Sequence, residues 1–232
     1  MNTVGIIAAM AEEMAEIEKI MTEKEEVSVY GKTFVKGKIR GVFCVLSLSG
    51  VGKVNAARTA QIIIERFGCG KIINVGSAGA LTKEQKIGDI VLSQSAVQSD
   101  FDLTAFGREK GFITDVGKYI NADEDLIAVF EKAIKNSDNS VTVRKGIVAS
   151  ADRFVNNCAE KTEINKEFSA LCCEMEGAAI AQVCYLCKIP FVIIRSISDE
   201  LGSKAEVDFD KYLTVASKKC AEFLRSAFEF IN

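Results

Sequence analysis

Ile72-Ile73-Asn74-Val75-Gly76-Ser77-Ala78-Gly79 decides the fold. Its first four residues, three of them β-branched and apolar, read as a short buried strand. The small residues that follow read as a turn or as a loop where backbone N–H groups can approach a ligand. Upstream, residues 53–67 carry apolar positions at helical spacing, and downstream Asp89-Ile90-Val91-Leu92 opens another strand. Further out the alternation continues. Residues 3–10 form a strand, 11–23 a charged amphipathic helix, and 27–36 and 40–49 two strands split at Lys38-Ile39-Arg40-Gly41. Residues 99–121 look loop-like, 123–136 helical, 141–149 extended and 160–169 helical. Leu171-Cys172-Cys173-Glu174 is a short strand and 176–188 an Ala-rich helix. Phe191-Val192-Ile193-Ile194-Arg195 follows the lone Pro190 as a strand, and 209–230 closes the chain as a helix. Strands alternating with helices argue for an α/β fold. No Pro-, Gly- or Ser-rich linker interrupts the chain, so residues 1–232 are expected to form one domain.

The charges exclude several functions. With 29 Lys and Arg against 32 Asp and Glu, the formal charge is −3, which offers no basic face for nucleic acid. No apolar run approaches the ~20 residues of a membrane span. Val4-Gly5-Ile6-Ile7-Ala8-Ala9-Met10 is too short for a signal peptide and lacks a basic flank. Eight cysteines in mostly apolar segments suit buried free thiols in a reducing cytoplasm. Cys184 and Cys187 form a CxxC inside a helical pattern. With no second pair and no histidine in the chain, neither a metal nor a redox role is expected. The missing histidine also excludes a Ser-His-Asp or Cys-His unit. Acid–base chemistry near neutral pH then falls to carboxylates, Lys, Cys or Tyr.

Four stretches sit at the carboxyl ends of predicted strands, where α/β folds tend to bind ligands. In Ala9-Met10-Ala11-Glu12-Glu13-Met14, each acid could equally serve the helix dipole. Gly76-Ser77-Ala78-Gly79-Ala80 matches neither a P-loop nor a dinucleotide fingerprint. In Cys173-Glu174-Met175-Glu176-Gly177, the two acids stand two apart and on an extended segment would point the same way; Glu176 could also cap a helix. Asp199 in Arg195-Ser196-Ile197-Ser198-Asp199-Glu200 could be a proton donor or an N-cap.

Together, in this order, the four stretches resemble the methylthioadenosine/S-adenosylhomocysteine nucleosidases, within the wider nucleoside phosphorylase-like superfamily. The most specific pieces are Ser49-Gly50-Val51-Gly52-Lys53-Val54-Asn55-Ala56-Ala57, Asn74-Val75-Gly76-Ser77-Ala78-Gly79, Glu174-Met175-Glu176-Gly177-Ala178-Ala179 and Arg195-Ser196-Ile197-Ser198-Asp199. The resemblance implies a mixed central sheet flanked by helices, a homodimer, no cofactor, and hydrolysis of an adenine thionucleoside to adenine and the thioribose. It also implies roles. Glu13 activates the water, and Asp199, helped by Ser198, protonates adenine N7. Glu176 accepts the ribose hydroxyls, with Met175 beside the sugar. Ser77, Gly79, Glu174 and Arg195 lie around the water and sugar. Phe154 stacks on the purine and the Val155 backbone binds its edge. Met10, Val51 and Phe209 line the alkylthio pocket, and Phe106 reaches into the partner's pocket.

Three other readings compete. A phosphorylase of this superfamily resembles Arg-x-Gly-Ser/Thr-x-Gly at the strand-end loop, whereas the present chain has Asn74 there. A neutral amide replaces a bidentate phosphate clamp poorly, and an acid at Glu13 repels phosphate but suits water. A nucleosidase for a futalosine-type substrate and a non-catalytic binding protein on the same fold are the other two. Arg153, before the stacking Phe154, and Arg108, after Phe106-Gly107, depart from the family's pattern.

Overall fold

The computed structural model describes residues 3–138, 140–202 and 205–231, the side chains of residues 205–211 excepted. Ten strands join in one mixed sheet. β1 (Val4–Ala8) lies between β4 (Val42–Leu48) and β5 (Lys71–Ala80), parallel to both. β10 (Phe191–Asp199) runs parallel to β5 on the side away from β1. From β10 the sheet continues through β6 (Ile90–Gln98), β8 (Val143–Ser150) and β9 (Ala170–Glu174). β9 then pairs antiparallel with the end of β5, so these five strands close on themselves. β7 (Ile120–Asn121) adds a short pair to β6. β1, β5 and β10 are buried along almost their whole length, which explains their near-continuous apolar sequence.

β2 (Thr22–Val29) and β3 (Lys32–Ile39) extend the other end of the sheet, and here the sequence expectation needs correction. The helix expected over 11–23 ends as α1 (Ala11–Lys19). The strand expected over 27–36 is broken by a hairpin at Tyr30-Gly31, with φ 52° and 74°, and a second tight turn follows at Arg40-Gly41, with φ 50° and 84°. Positive φ at both central residues is the two-residue turn whose twist suits a hairpin. β2 is an exposed edge strand rich in Glu and Lys, so it lacks the apolar alternation that marks a strand; its charges guard the edge against further pairing.

α2 (Lys53–Phe67) ends at Gly68 in the left-handed conformation, a common stop for a helix. It packs on α5 (Gly177–Cys187), while α6 (Ala205–Ala227) packs on α1, on α3 (Glu124–Ser137) and against β10. α4 (Cys158–Phe168) covers β8 and β9. All eight thiols are free, and six of them are buried. Among the described residues, no helix is long and apolar enough to cross a membrane.

Candidate active site

The strand ends that the sequence suggested to be loops are strand. β5 continues through Ala80 and β10 through Asp199. The site exists because β5 changes partner. On one side it pairs with β1 as far as Ala8↔Val75, and β9 takes over only at Gly79↔Cys173. Between them the backbone of Gly76–Ala78 has no strand partner on that side. A cleft of about 380 Å³ opens there.

Glu13 fills the gap. It sits in the first turn of α1 and is 4% exposed. Its Oε2 accepts the N–H groups of Ala9 (3.0 Å) and Met10 (3.1 Å). Its Oε1 accepts the Ser77 N–H (3.1 Å) and the Ser77 hydroxyl (3.3 Å). The residue thus caps its helix and faces the cleft at once. Burial raises its pKa, while Arg195 and the three backbone N–H groups pull it down in part.

Arg195 lies in the cleft floor, buried, and donates to Asn74 Oδ1 (2.5 Å) and to Glu174. Its burial opposes the positive charge, but Glu174, Glu176 and Glu13 more than offset this and raise its pKa. A Cβ on Gly76 would collide with the guanidinium, so glycine there lets the arginine lie flat against β5. Asn74 does not line the cleft. Its amide spans Ile7 O (2.9 Å) and Arg195, and its surface is 1% exposed.

The two acids of the third stretch separate. Glu174, at the end of β9, accepts the N–H groups of Glu176 (3.0 Å) and Gly177 (2.8 Å), the Ser150 hydroxyl and Arg195. Every lone pair on it has a donor, so it anchors the start of α5. Glu176 is not extended (φ −132°, ψ −42°), and its Oε1 accepts the Gly52 N–H at 2.8 Å. Burial, with Glu174 next in weight, pushes the Glu176 carboxyl up to about 7 against the pull of Arg195 and Gly52.

Asp199 closes the far side. The pairing of β10 with β5 shifts register between Ile197 and Asp199, and such irregularities re-aim side chains. Consecutive Ser198 and Asp199 therefore both line the cleft. Ser198 Oγ donates to Asp199 Oδ1 (3.0 Å), and Asp199 Oδ2 is ion-paired with Lys161.

Met10, Val51, Ser77, Gly79, Phe154 and Met175 also line the cleft, with Phe154 half-exposed at its rim. Val155 is buried beside a small adjoining cavity of about 30 Å³ shared with Phe154 and Asp199. Phe106 is not part of this assembly. It stands on a turn at Thr104–Phe106, 81% exposed. The Phe209 side chain lies outside the described residues. Arg153 pairs with Glu160 at the edge, and Arg108 stacks 5.4 Å from the Phe112 ring centre.

The sequence reading missed Lys161. A lysine in a charged helix reads as solvated, yet Lys161, Ile164 and Phe168 form the buried face of α4. Their i, i+3, i+7 spacing was the available signal. Cys173 also lines the cleft unexpectedly; burial pushes its thiol up to about 12, which leaves it a poor nucleophile. Among the described residues, no group of three His, Cys, Asp or Glu side chains could hold a metal.

The family model of the phosphorylase superfamily matches residues 3–229. A 5'-methylthioadenosine/S-adenosylhomocysteine nucleosidase from Geobacillus thermodenitrificans is 40% identical over 96% of this chain and 94% of its own. The crystal structure of such a nucleosidase from Colwellia psychrerythraea, in complex with adenine, superposes with a TM-score of 0.95 at 34% identity, covering 99% of this chain and 95% of that one. The native structure of a futalosine hydrolase from Helicobacter pylori superposes with a TM-score of 0.93 at 34% identity, over 98% and 97% of the two chains. The chain belongs to the 5'-methylthioadenosine/S-adenosylhomocysteine nucleosidase family of the phosphorylase superfamily.

Proposed function

We propose that this protein hydrolyses the N-glycosidic bond of methylthioadenosine and S-adenosylhomocysteine, releasing adenine and the 5-thioribose product. The observation that carries the reading is the placement of Glu13, Glu176 and Asp199 around one cleft with an apolar end. Glu13 adjoins Gly76 and Asp199 adjoins Gly79, three residues along β5 and so roughly 10 Å of strand rise apart. That spacing leaves room for a sugar and a water between base and acid, as in inverting glycosidases.

Cleavage builds positive charge on the ribose and negative charge on the departing base. Glu176 takes the ribose hydroxyls and, when ionised, stabilises the cation. Water displaces the Ser77 hydroxyl, the longest of the four bonds to Glu13, and loses its proton to that carboxylate. Asp199 delivers a proton to adenine N7, with Ser198 orienting it. Phe154 stacks on the purine, and Val155 reads its edge through the backbone. Gly79 and Met175 flank the sugar, and Glu174 and Arg195 hold the carboxylates in place. Met10 and Val51 face the thioether, a weak hydrogen-bonding group; Phe209 completes that pocket. The exposed Phe106 covers the partner's cleft in a homodimer.

Hydrolysis is favoured over phosphorolysis by electrostatics. Arg195, the one arginine in the cleft lining, is held by Glu174 and surrounded by Glu13 and Glu176. Phosphate would meet more negative than positive charge there, and Asn74 has both ends of its amide occupied. We read residues 1–232 as one nucleosidase domain, supported by the single sheet, and the protein as cytoplasmic, supported by six buried free thiols.

The test is a product assay on methylthioadenosine, S-adenosylhomocysteine and aminodeoxyfutalosine side by side, with and without phosphate. Adenine and free thioribose at a phosphate-independent rate are expected. A ribose phosphate in the mass spectrum overturns the hydrolase reading. Exclusive turnover of the futalosine-type substrate would transfer the protein to that activity, whose structural relative matches it closely.

A further inference from the structure

We propose that Lys161 is the proton store behind Asp199, the positioning residue through which the leaving adenine receives its proton. The inference rests on the nucleosidase reading above. A carboxylic acid can protonate a leaving base only if it holds a proton, yet Asp199 is ion-paired with a lysine. The two side chains are 3% and 2% exposed, so while substrate fills the cleft bulk water cannot replenish the acid. The pair as a whole carries one transferable proton. An ammonium against a carboxylate and an amine against a carboxylic acid are two forms of the same proton count.

The surroundings single out this pair. A Cβ on Gly79 would lie 3.0 Å from Asp199 Oδ2 and 3.1 Å from Lys161 Nζ, so a side chain there would press on both partners, and glycine leaves them room. Ser198 supports the other carboxylate oxygen. Cys173 on β9 lies in the field of both members of the pair, and of Glu174 on β9 and Glu160 on α4. Arg153, at the cavity that Asp199 shares with Phe154, is engaged by Glu160.

The step balances. As the C1′–N9 bond breaks, its electron pair goes to the purine. A Lys161 N–H bond breaks and an Asp199 Oδ2–H bond forms; that proton then passes to adenine N7. Water adds to C1′ and gives its proton to Glu13. After adenine departs, water in the emptied cleft returns a proton to Asp199, which lines it, and that proton passes on to Lys161; Glu13 releases one, so no proton is gained or lost overall.

The experiment varies the leaving group at pH 8, using methylthioadenosine and the 4-nitrophenyl glycoside of 5-methylthioribose, whose phenolate needs no protonation to leave. Lys161→Met is expected to lower kcat at least 30-fold for methylthioadenosine and less than threefold for the aryl glycoside. Lys161→Arg keeps a buried cation but holds its proton too firmly to release it, so it is expected to show the same split. If Lys161→Met does not fold, Lys161→Arg alone decides. Restoration of adenine release by Lys161→Arg, equal losses on both substrates, or no loss on either overturns the proton store. Failure of the unaltered enzyme to release adenine overturns the nucleosidase reading and this step together; loss of the store alone leaves the unaltered enzyme's hydrolysis intact.

Discussion

Replacing Glu176 by Gln should stabilise the unliganded protein while crippling it. The Glu176 carboxyl is 4% exposed, lies beside Glu174, and has a pKa pushed up to about 7, against 4.5 in the unfolded chain. The folded protein therefore binds this proton more tightly than the unfolded one. The associated stability is complete below pH 4.5 and is lost as the pH rises through about 7. Each pH unit in that window is worth about 1.4 kcal/mol, so ionising Glu176 in the fold forfeits roughly 3 kcal/mol. Glutamine cannot ionise, and its carbonyl can still accept the Gly52 N–H. At pH 8 the variant should therefore melt higher by about 6–12 °C, taking 2–4 °C per kcal/mol for a chain of this size. At pH 4.5 the two proteins should melt together. Each hydrogen bond from a ribose hydroxyl to the carboxylate is worth about 1.5–3 kcal/mol, so kcat/KM should fall at least about tenfold. Thermal melts from pH 4.5 to 9, paired with adenine-release assays, measure both effects. A variant less stable than its parent at pH 8, or a gap that does not change with pH, refutes the argument.

Other substitutions test the rest of the site. Asp199→Asn should abolish adenine release with the fold intact by circular dichroism; activity within about threefold of the parent would sink the acid assignment. Gly76→Ala places a Cβ 3.0 Å from Glu13 Oε1 and into the Arg195 guanidinium. It should cost about 1–3 kcal/mol of stability through overpacking and most of the activity, and a silent result in denaturant titration would show that the arginine can move. Phe106→Ala should leave the fold of the single chain unchanged by circular dichroism, because the ring is exposed on its own chain, yet raise KM several-fold in a dimer; an unchanged KM removes Phe106 from the substrate pocket.

Much of the site was legible in the chain. Glu13, Ser77, Glu176, Arg195 and Asp199 each sit near the end of an apolar run, and all five line one cleft. What was illegible involves residues with two local readings. The Gly76–Ala80 segment is small and polar enough to pass for a loop, but pairing with β10 and β9 extends it. Residues 22 and 23 read as the end of a charged helix, and 24–26 carry no strand pattern, because both faces of an edge strand can stay wet. Glu174 and Glu176 looked equivalent, and hydrogen bonding divides them: one is saturated by donors, the other holds a single backbone N–H.

By itself the sequence determined the alternation of strands and helices, the absence of histidine chemistry and the set of candidate acids, because periodicity and side-chain type are local properties. Only the tertiary structure decided that β5 exchanges β1 for β9 and so opens the cleft. It also decided that Asn74 braces Arg195 and that Lys161 stands against Asp199 across 38 residues of chain. Those are long-range contacts between buried polar groups, and burial fixes their energetics: a charge withdrawn from water must find its partner inside the fold.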